Sequence, residues 1–232
     1  MIIDRSSIES RDIETHARLV YETLSADGLA VVPTAAGYGM LAMGRSGVAR
    51  IYALKGRPGR KPCVTVTTWP IFDDLTRGVD APTRQFIRQT LRYAPLAVIA
   101  RVDPGSPLVA RLDPFVLGQC TQEGTIATFH GAGALVTRVA ELAFADGRLV
   151  VGSSGNRSGA GNAYTLDEVP AQREAELVVD VGPIPMPGGE RLATTILDLQ
   201  SGRFLREGVQ FARIARAWWA HPASQRELAC PA

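Results

Sequence analysis

The chain predicts an α/β fold, a single sheet of mixed strand direction with helices packed over it. Three observations carry that expectation. Short apolar or β-branched runs alternate and intermix with amphipathic segments along the whole length, the pattern of a sheet covered by helices. The last three apolar runs, AELVVDVG, ATTILDLQ and RFLREG, lie too close together for an all-parallel arrangement. The composition, 46% hydrophobic and 21% charged over 232 residues, is that of a globular chain able to bury a sizeable core.

The elements follow in order. In DIETHARLVYETLS, residues 12–25, Ile13, Ala17, Val20 and Leu24 recur at helical spacing, and Gly28 is placed to stop the helix. LAVVP is a short strand ended by Pro33. GVARIYALKG is a helix that runs into a basic loop, and PCVTVTT is a β-branched strand. TRQFIRQTLRYA is a helix, PLAVIARV a buried strand and GTIATFH another strand. ALVTRVAELAFADG is a helix ending at Gly147, and RLVVGSSGNRSG is a strand entering a polar, Gly-rich loop. Three closing strands follow. The final segment opens as a helix with Phe211, Ile214 and Trp218 on one face. Trp218 and Trp219 are expected to pack onto the domain, with the last ten residues loosely held. The expected division is one domain over 1–210 and a helical tail over 211–232. No internal repeat or low-complexity linker interrupts it.

Charge excludes one class. Lys plus Arg is 25 against 23 acidic residues, a net charge of +2, too balanced for a surface that coats nucleic acid. A local basic site remains open. Cys63, Cys120 and Cys230 are odd in number and lack metal-ligand spacing, which fits a reduced compartment. His16, His130 and His221 form no zinc-binding pattern, so no protein-only metal site is expected. The opening MIIDRSSIESRDIE has charges where a secretion signal needs an apolar run. No stretch reaches the roughly 18 apolar residues of a membrane helix. A cytoplasmic location with no membrane partner is the expectation.

Three loops carry candidate chemistry. In PTAAGYGM, residues 33–40, Thr34 and Tyr38 supply hydroxyls and small residues let a ligand approach the backbone; the stretch also fits a plain strand-to-helix turn. In IYALKGRPGRKP, residues 51–62, Lys55, Arg57, Arg60 and Lys61 stand among glycines and prolines. Lys55 and Arg57, two apart, point to one side of an extended segment. A compact ammonium beside a planar guanidinium suits a polyphosphate, and Pro58 and Pro62 limit the entropy lost on binding. Alone the loop fits a solvated turn equally well, and it lacks the GxxxxGK[ST] pattern. In VVGSSGNRSGAGN, residues 150–162, Ser153, Ser154, Asn156 and Ser158 stand at the end of an apolar strand, where open α/β sheets bind ligands. GSSGN nearly spells a nucleophile elbow, but no acid and base accompany it.

The loops occur in the order of a known family. The chain resembles the YrdC-like family, the threonylcarbamoyl-AMP synthases, whose pattern runs PT(D/E)TVYGL, KxRPxxKP, SAN-x-SG, ST-V-V-D and (I/L)-R-x-G. Here the corresponding stretches are PTAAGYGM, IYALKGRPGRKP, SSGNRSG, ATTILDL and FLREG, across about residues 11–210. The resemblance implies a twisted mixed sheet with helices around a large basic concave cavity. It implies a nucleotidyltransferase joining an amino acid, bicarbonate and ATP, with Mg²⁺, into a carbamoyl-adenylate and pyrophosphate that feeds tRNA modification to threonylcarbamoyladenosine. By position, Lys55 and Arg57 would be catalytic and hold ATP phosphates. Lys61, Thr125, Ser153, Asn156, Ser158 and Arg206 would complete the nucleotide side. Thr34, Tyr38, Ser154, Thr194 and Thr195 would contact the substrate. The length implies that the extra C-terminal domain of longer members is absent.

The departures from the pattern cluster. Ala35 and Ala36 replace an acid–threonine pair, and YAPLA replaces a PGPxT stretch. Phe129 stands where an arginine would hold the threonine carboxylate, with His130 in place of a proline. A phenyl ring cannot replace a bidentate guanidinium. His130 either recovers part of that contact or is a surface residue at a strand end. The phosphate side is therefore expected to be retained and the amino-acid side altered. The alternative is a non-catalytic protein that keeps the cavity for nucleotide or double-stranded RNA.

Overall fold

The computed structural model describes residues 1–3, 12–56, 61–186 and 189–224. The strands are β1 (Ile2–Ile3), β2 (Ala30–Thr34), β3 (Gly37–Ala42), β4 (Val64–Thr67), β5 (Thr76–Arg77), β6 (Leu96–Val102), β7 (Thr121–Gln122), β8 (Thr125–His130), β9 (Val151–Ser154), β10 (Leu177–Val179), β11 (Thr195–Asp198) and β12 (Phe204–Arg206). The helices are α1 (Ile13–Ser25), α2 (Arg45–Lys55), α3 (Trp69–Leu75), α4 (Ala81–Thr90), α5 (Pro107–Arg111), α6 (Pro114–Cys120), α7 (Ala134–Ala145) and α8 (Phe211–Trp219).

One mixed sheet runs β1-β10-β2-β3-β9-β4-β8-β6-β11-β12, with β5 beside β6 and β7 beside β8. The predicted mixture of directions is present: β4 and β8 are parallel, whereas β8 and β6 are antiparallel. The three closing strands separate, however. β10 pairs with β2 near one end of the sheet, and β11 and β12 lie beside β6 at the other. Nearness in sequence limits chain reach but not pairing, and the wholly buried Leu177, Val178 and Val179 complete the core beside β2.

Pro33 does not end its strand. β2 turns tightly into β3, pairing Pro33 with Tyr38 and Thr34 with Gly37, so PTAAGYGM is a hairpin. The β10 pairing reaches only Val31, so the missing proline N–H costs no bond on that side. Thr34 Oγ1 donates to the Gly37 carbonyl at 2.6 Å and accepts from the Ala36 N–H at 3.1 Å. Gly37 has φ +94, and a Cβ there would lie 2.5 Å from the Ala163 carbonyl oxygen.

Three helices escaped the sequence reading, α3, α5 and α6, each short and each with proline in its first turn. Asp113 caps α6 by accepting from the Phe115 and Val116 N–H groups. Helix α8 packs on α4. Trp218 is buried edge-on against Phe86 at 4.9 Å, and its indole N–H reaches the Gly202 carbonyl at 3.0 Å. Trp219 is 63% exposed, so only one of the two tryptophans joins the core. The final eight residues of the loosely held end lie outside the described residues.

A candidate nucleotide and substrate cavity

Strand alternation decides what the sheet offers on each face. On β6, Leu96, Val98 and Ala100 join the core beneath α4 and α8, while Ala97, Ile99 and Arg101 face a cavity of about 770 Å³. On β11, Leu197 goes to the core and Ile196 and Asp198 to the cavity. The floor can be followed through the register. Val66 lies opposite Phe129, Phe129 opposite Ala97, Ala97 opposite Ile196, and Ile196 opposite Arg206. The next row runs Ala127, Ile99, Asp198, and beyond it Thr125 faces Arg101.

The polar groups stand around this floor. Thr34, Ser153, Ser154 and Asn162 line the wall built by the hairpin and the end of β9. Lys61, Thr125, Thr194 and Arg206 line the rest. Arg206 Nε donates to the Thr194 carbonyl at 2.8 Å, which fixes that guanidinium against β11. The lining was expected to be strongly basic. Among the described residues it carries Lys61, Arg101 and Arg206 against Glu123 and Asp198, a mixed charge.

Lys55 is not among the lining residues described. It is 4% exposed at the end of α2. Its ammonium donates to the Ser154 carbonyl, to Ser154 Oγ at 3.2 Å and to the Asn156 carbonyl at 2.7 Å. The Ser158 N–H donates back to the Lys55 carbonyl at 3.2 Å. Lys55, Ser154, Asn156 and Ser158 thus form one knot joining the basic stretch to the loop after β9. Gly56, in the left-handed conformation, then turns the chain out of α2. Arg57, Pro58 and Arg60 lie outside the described residues. The Asn156 amide donates to the Arg157 and Ala160 carbonyls at 2.9 and 2.6 Å, which shapes this loop from within.

Besides Thr34, whose hydroxyl is held within its hairpin, two hydroxyls assigned to substrate are engaged within the fold. Thr195 is fully buried on the opposite face from Thr194; its Oγ1 donates to the Val209 carbonyl and accepts from the Gly208 N–H, both at 3.1 Å. The Tyr38 hydroxyl sits 2.9 Å from both Asp180 and the Gly182 carbonyl, and accepts from the Val181 N–H at 3.0 Å. Burial pushes its pKa up to about 12, so it stays protonated and holds the 180–182 turn.

His130 also differs from both readings of it. It is 2% exposed and alternates with Phe129 onto the other face of β8. There it lies edge-on to Phe72 at 4.8 Å and near Trp69 at 5.7 Å, with Nε2 3.1 Å from Thr128 Oγ1. It neither lines the cavity nor lies on the surface. Phe129 does face the cavity.

Arg101 and Asn162 are cavity residues that the sequence reading missed. Arg101 was recoverable, since strict alternation in PLAVIARV puts it on the face of Ala97 and Ile99. Asn162 gave no local signal; its amide reaches the Ala36 carbonyl across 126 residues of chain. Gly208 supports the site from below. A Cβ there would meet the Ala193 carbonyl oxygen and lie 2.6 Å from the Thr195 nitrogen. Gly208→Ala is therefore expected to cost about 1–3 kcal/mol, through displaced backbone under Thr194 and Arg206. Chemical denaturation of the variant beside the parent checks it.

Residues 22–208 match the Sua5/YciO/YrdC family, described as "telomere recombination". The chain belongs to that family. Among solved structures, P. abyssi Sua5 complexed with L-threonine is similar with a TM-score of 0.70 and 21% identity, over 94% of this chain and 60% of that one. E. coli YciO is similar with a TM-score of 0.63 and 17% identity, over 90% and 95%. Full-length HypF in its phosphate- and nucleotide-bound form matches with a TM-score of 0.62 and 13% identity, over 82% and 28%. The chain spans 60% of the length of the Sua5 it matches. No curated protein matches significantly. The YrdC-like twisted mixed sheet expected from the motifs is the fold observed. No helix among the described residues is long and apolar enough to cross a membrane.

Proposed function

We propose that the protein is an ATP-dependent synthase of carbamoyl-adenylates. An amine and bicarbonate would give a carbamate and water; a carbamate oxygen would then attack the α-phosphorus of ATP and release pyrophosphate. One observation carries the reading: the basic stretch and the SSGNRSG loop, far apart in sequence, are tied together by Lys55, and Ser154 of that knot, with Ser153 before it, lines a cavity of about 770 Å³. That volume is of the size small-molecule sites use. The nucleotide- and threonine-bound relatives support it as similar proteins.

Within this reading Lys55 positions the loop and Arg57 supplies the charge to the phosphates. Lys61, Arg206 and Arg101, all in the cavity lining, would offset charge that builds on the transferred phosphate. Among the described residues no three His, Cys, Asp or Glu could hold a metal ion together. Mg²⁺ needs only one or two carboxylates when phosphate oxygens and water complete its shell, so Glu123 or Asp198 in the lining fits an ion carried in by ATP. Bound there, Mg²⁺ would neutralise phosphate charge.

The test is pyrophosphate release from ATP, Mg²⁺, bicarbonate and a panel of amines. ATP- and bicarbonate-dependent release with at least one amine is expected. Arg57→Ala should weaken ATP binding by roughly 10–100-fold, the loss of a charge-assisted contact. No release with any amine, with ATP or double-stranded RNA still bound, would favour the non-catalytic reading.

A further inference from the structure

We infer that the amine used at this site carries an aromatic or branched aliphatic group, seated on Phe129, in place of threonine; the inference rests on the synthase reading above. Among the described residues, the centre of the floor carries no hydrogen-bonding side chain. Val66, Phe129, Ala97 and Ile196 form one row across four strands, and Ala127 and Ile99 lie in the next. The backbone offers no substitute. β4 is paired with β9 and β8, β8 with β4 and β6, and β6 with β8 and β11, so these strands direct their N–H and C=O groups to one another.

A carboxylate or hydroxyl laid on this central patch would leave water without meeting a hydrogen-bonding side chain among the described residues, which is costly; such groups stand at its edge, in Arg206, Asp198, Arg101 and Thr125. An apolar group gains by leaving water. Size sharpens the argument. Phe129 has Ala97 opposite it on β6 and Ala127 two residues before it on the same face. Phe129 is 8% exposed, so a ligand meets it at the cavity face alone; the methyl side chains beside it leave that face open to a flat ring in offset contact or a branched aliphatic group. Adenine suits this patch less well, because among the described residues the partners its ring nitrogens and amino group need stand at the edge of the floor.

The experiment compares substrates and then variants. Purified protein is assayed for pyrophosphate release with phenylalanine, phenethylamine, leucine, isoamylamine, serine and threonine. The best apolar amine should exceed threonine in kcat/KM by about tenfold or more, the scale of one or two apolar contacts. Phe129→Leu keeps an apolar core residue and should raise the KM for that amine several-fold, with the KM for ATP unchanged. Phe129→Ala, checked for a cooperative thermal transition, should raise it further. Threonine or serine as the best substrate overturns the inference and leaves the synthase reading standing. An ATP KM that rises while the amine KM holds puts adenine on Phe129 and overturns it as well. Absence of release with every amine removes the synthase reading, and the inference with it.

Discussion

Lys55→Ala should lower the melting temperature by about 6–12 °C, apart from any effect on ATP. The reasoning begins with burial. Lysine is almost never buried unless paired, and this one is 4% exposed. Its ammonium satisfies the Ser154 carbonyl, Ser154 Oγ and the Asn156 carbonyl together. Alanine would take the donor from the buried Asn156 carbonyl and from the part-buried Ser154 carbonyl and Oγ, and would leave a gap where the stem lay. Stranded acceptors cost about 1–3 kcal/mol each, so a total on the order of 3 kcal/mol is expected. At about 2–4 °C per kcal/mol for a chain of this size, the shift in melting temperature follows. Thermal unfolding by circular dichroism measures it. A residue that served only as a phosphate ligand would leave the ligand-free protein as stable as before, and an unchanged melting temperature would dismiss the knot. ATP binding by Lys55→Ala should fall too, through the displaced loop.

The second large effect is a dependence on acid that belongs to His130. Burial pushes its pKa from 6.5 down to about 3. The unfolded chain therefore takes up a proton near pH 6.5 that the folded chain refuses until near pH 3. The unfolded state binds more protons across that window, so stability is full above it and falls as the pH drops through it. Near pH 5 the loss from this group alone is about 2 kcal/mol, at about 1.4 kcal/mol per pH unit below the unfolded value. His130→Phe keeps a ring between Phe72 and Trp69 and removes the titration. The variant should lose less stability than the parent between neutral pH and pH 5 in urea titrations. Parallel losses would show that another group governs the acid side.

Both predictions concern residues whose identity was plain in the sequence and whose surroundings were not. Lys55 stood out because it lies in a stiff basic stretch, and isolated charge runs usually face water. Its donor groups meet Ser154 and Asn156, 99 and 101 positions away. Nothing local encodes a contact over that distance. His130 and Phe129 were noticed as a pair, but adjacent strand residues face opposite sides. Which of the two faced the cavity depended on which side the helices covered. Thr194 and Thr195 pose the same problem, and there too one lines the cavity while the other is buried behind it.

The hairpin shows a different limit. Proline and two alanines read as a strand end and a turn. The chain nevertheless continues as β3, since Tyr38, Met40 and Leu41 pack into the core once β9 pairs beside them. Propensity near Pro33 favoured a break, and tertiary pairing outweighed it.

By itself the sequence determined the alternation of sheet and helix, because apolar periodicity is a local property that burial enforces wherever the segment lies. It also determined the order of PTAAGYGM, IYALKGRPGRKP and SSGNRSG, and with that the family. Only the tertiary structure decided the splitting of the closing strands, the burial of Lys55 beneath the loop it holds, and the apolar floor around Phe129. Each of these depends on the register between strands distant in the chain. A one-residue change of register exchanges the two faces of a strand without changing a letter of the sequence.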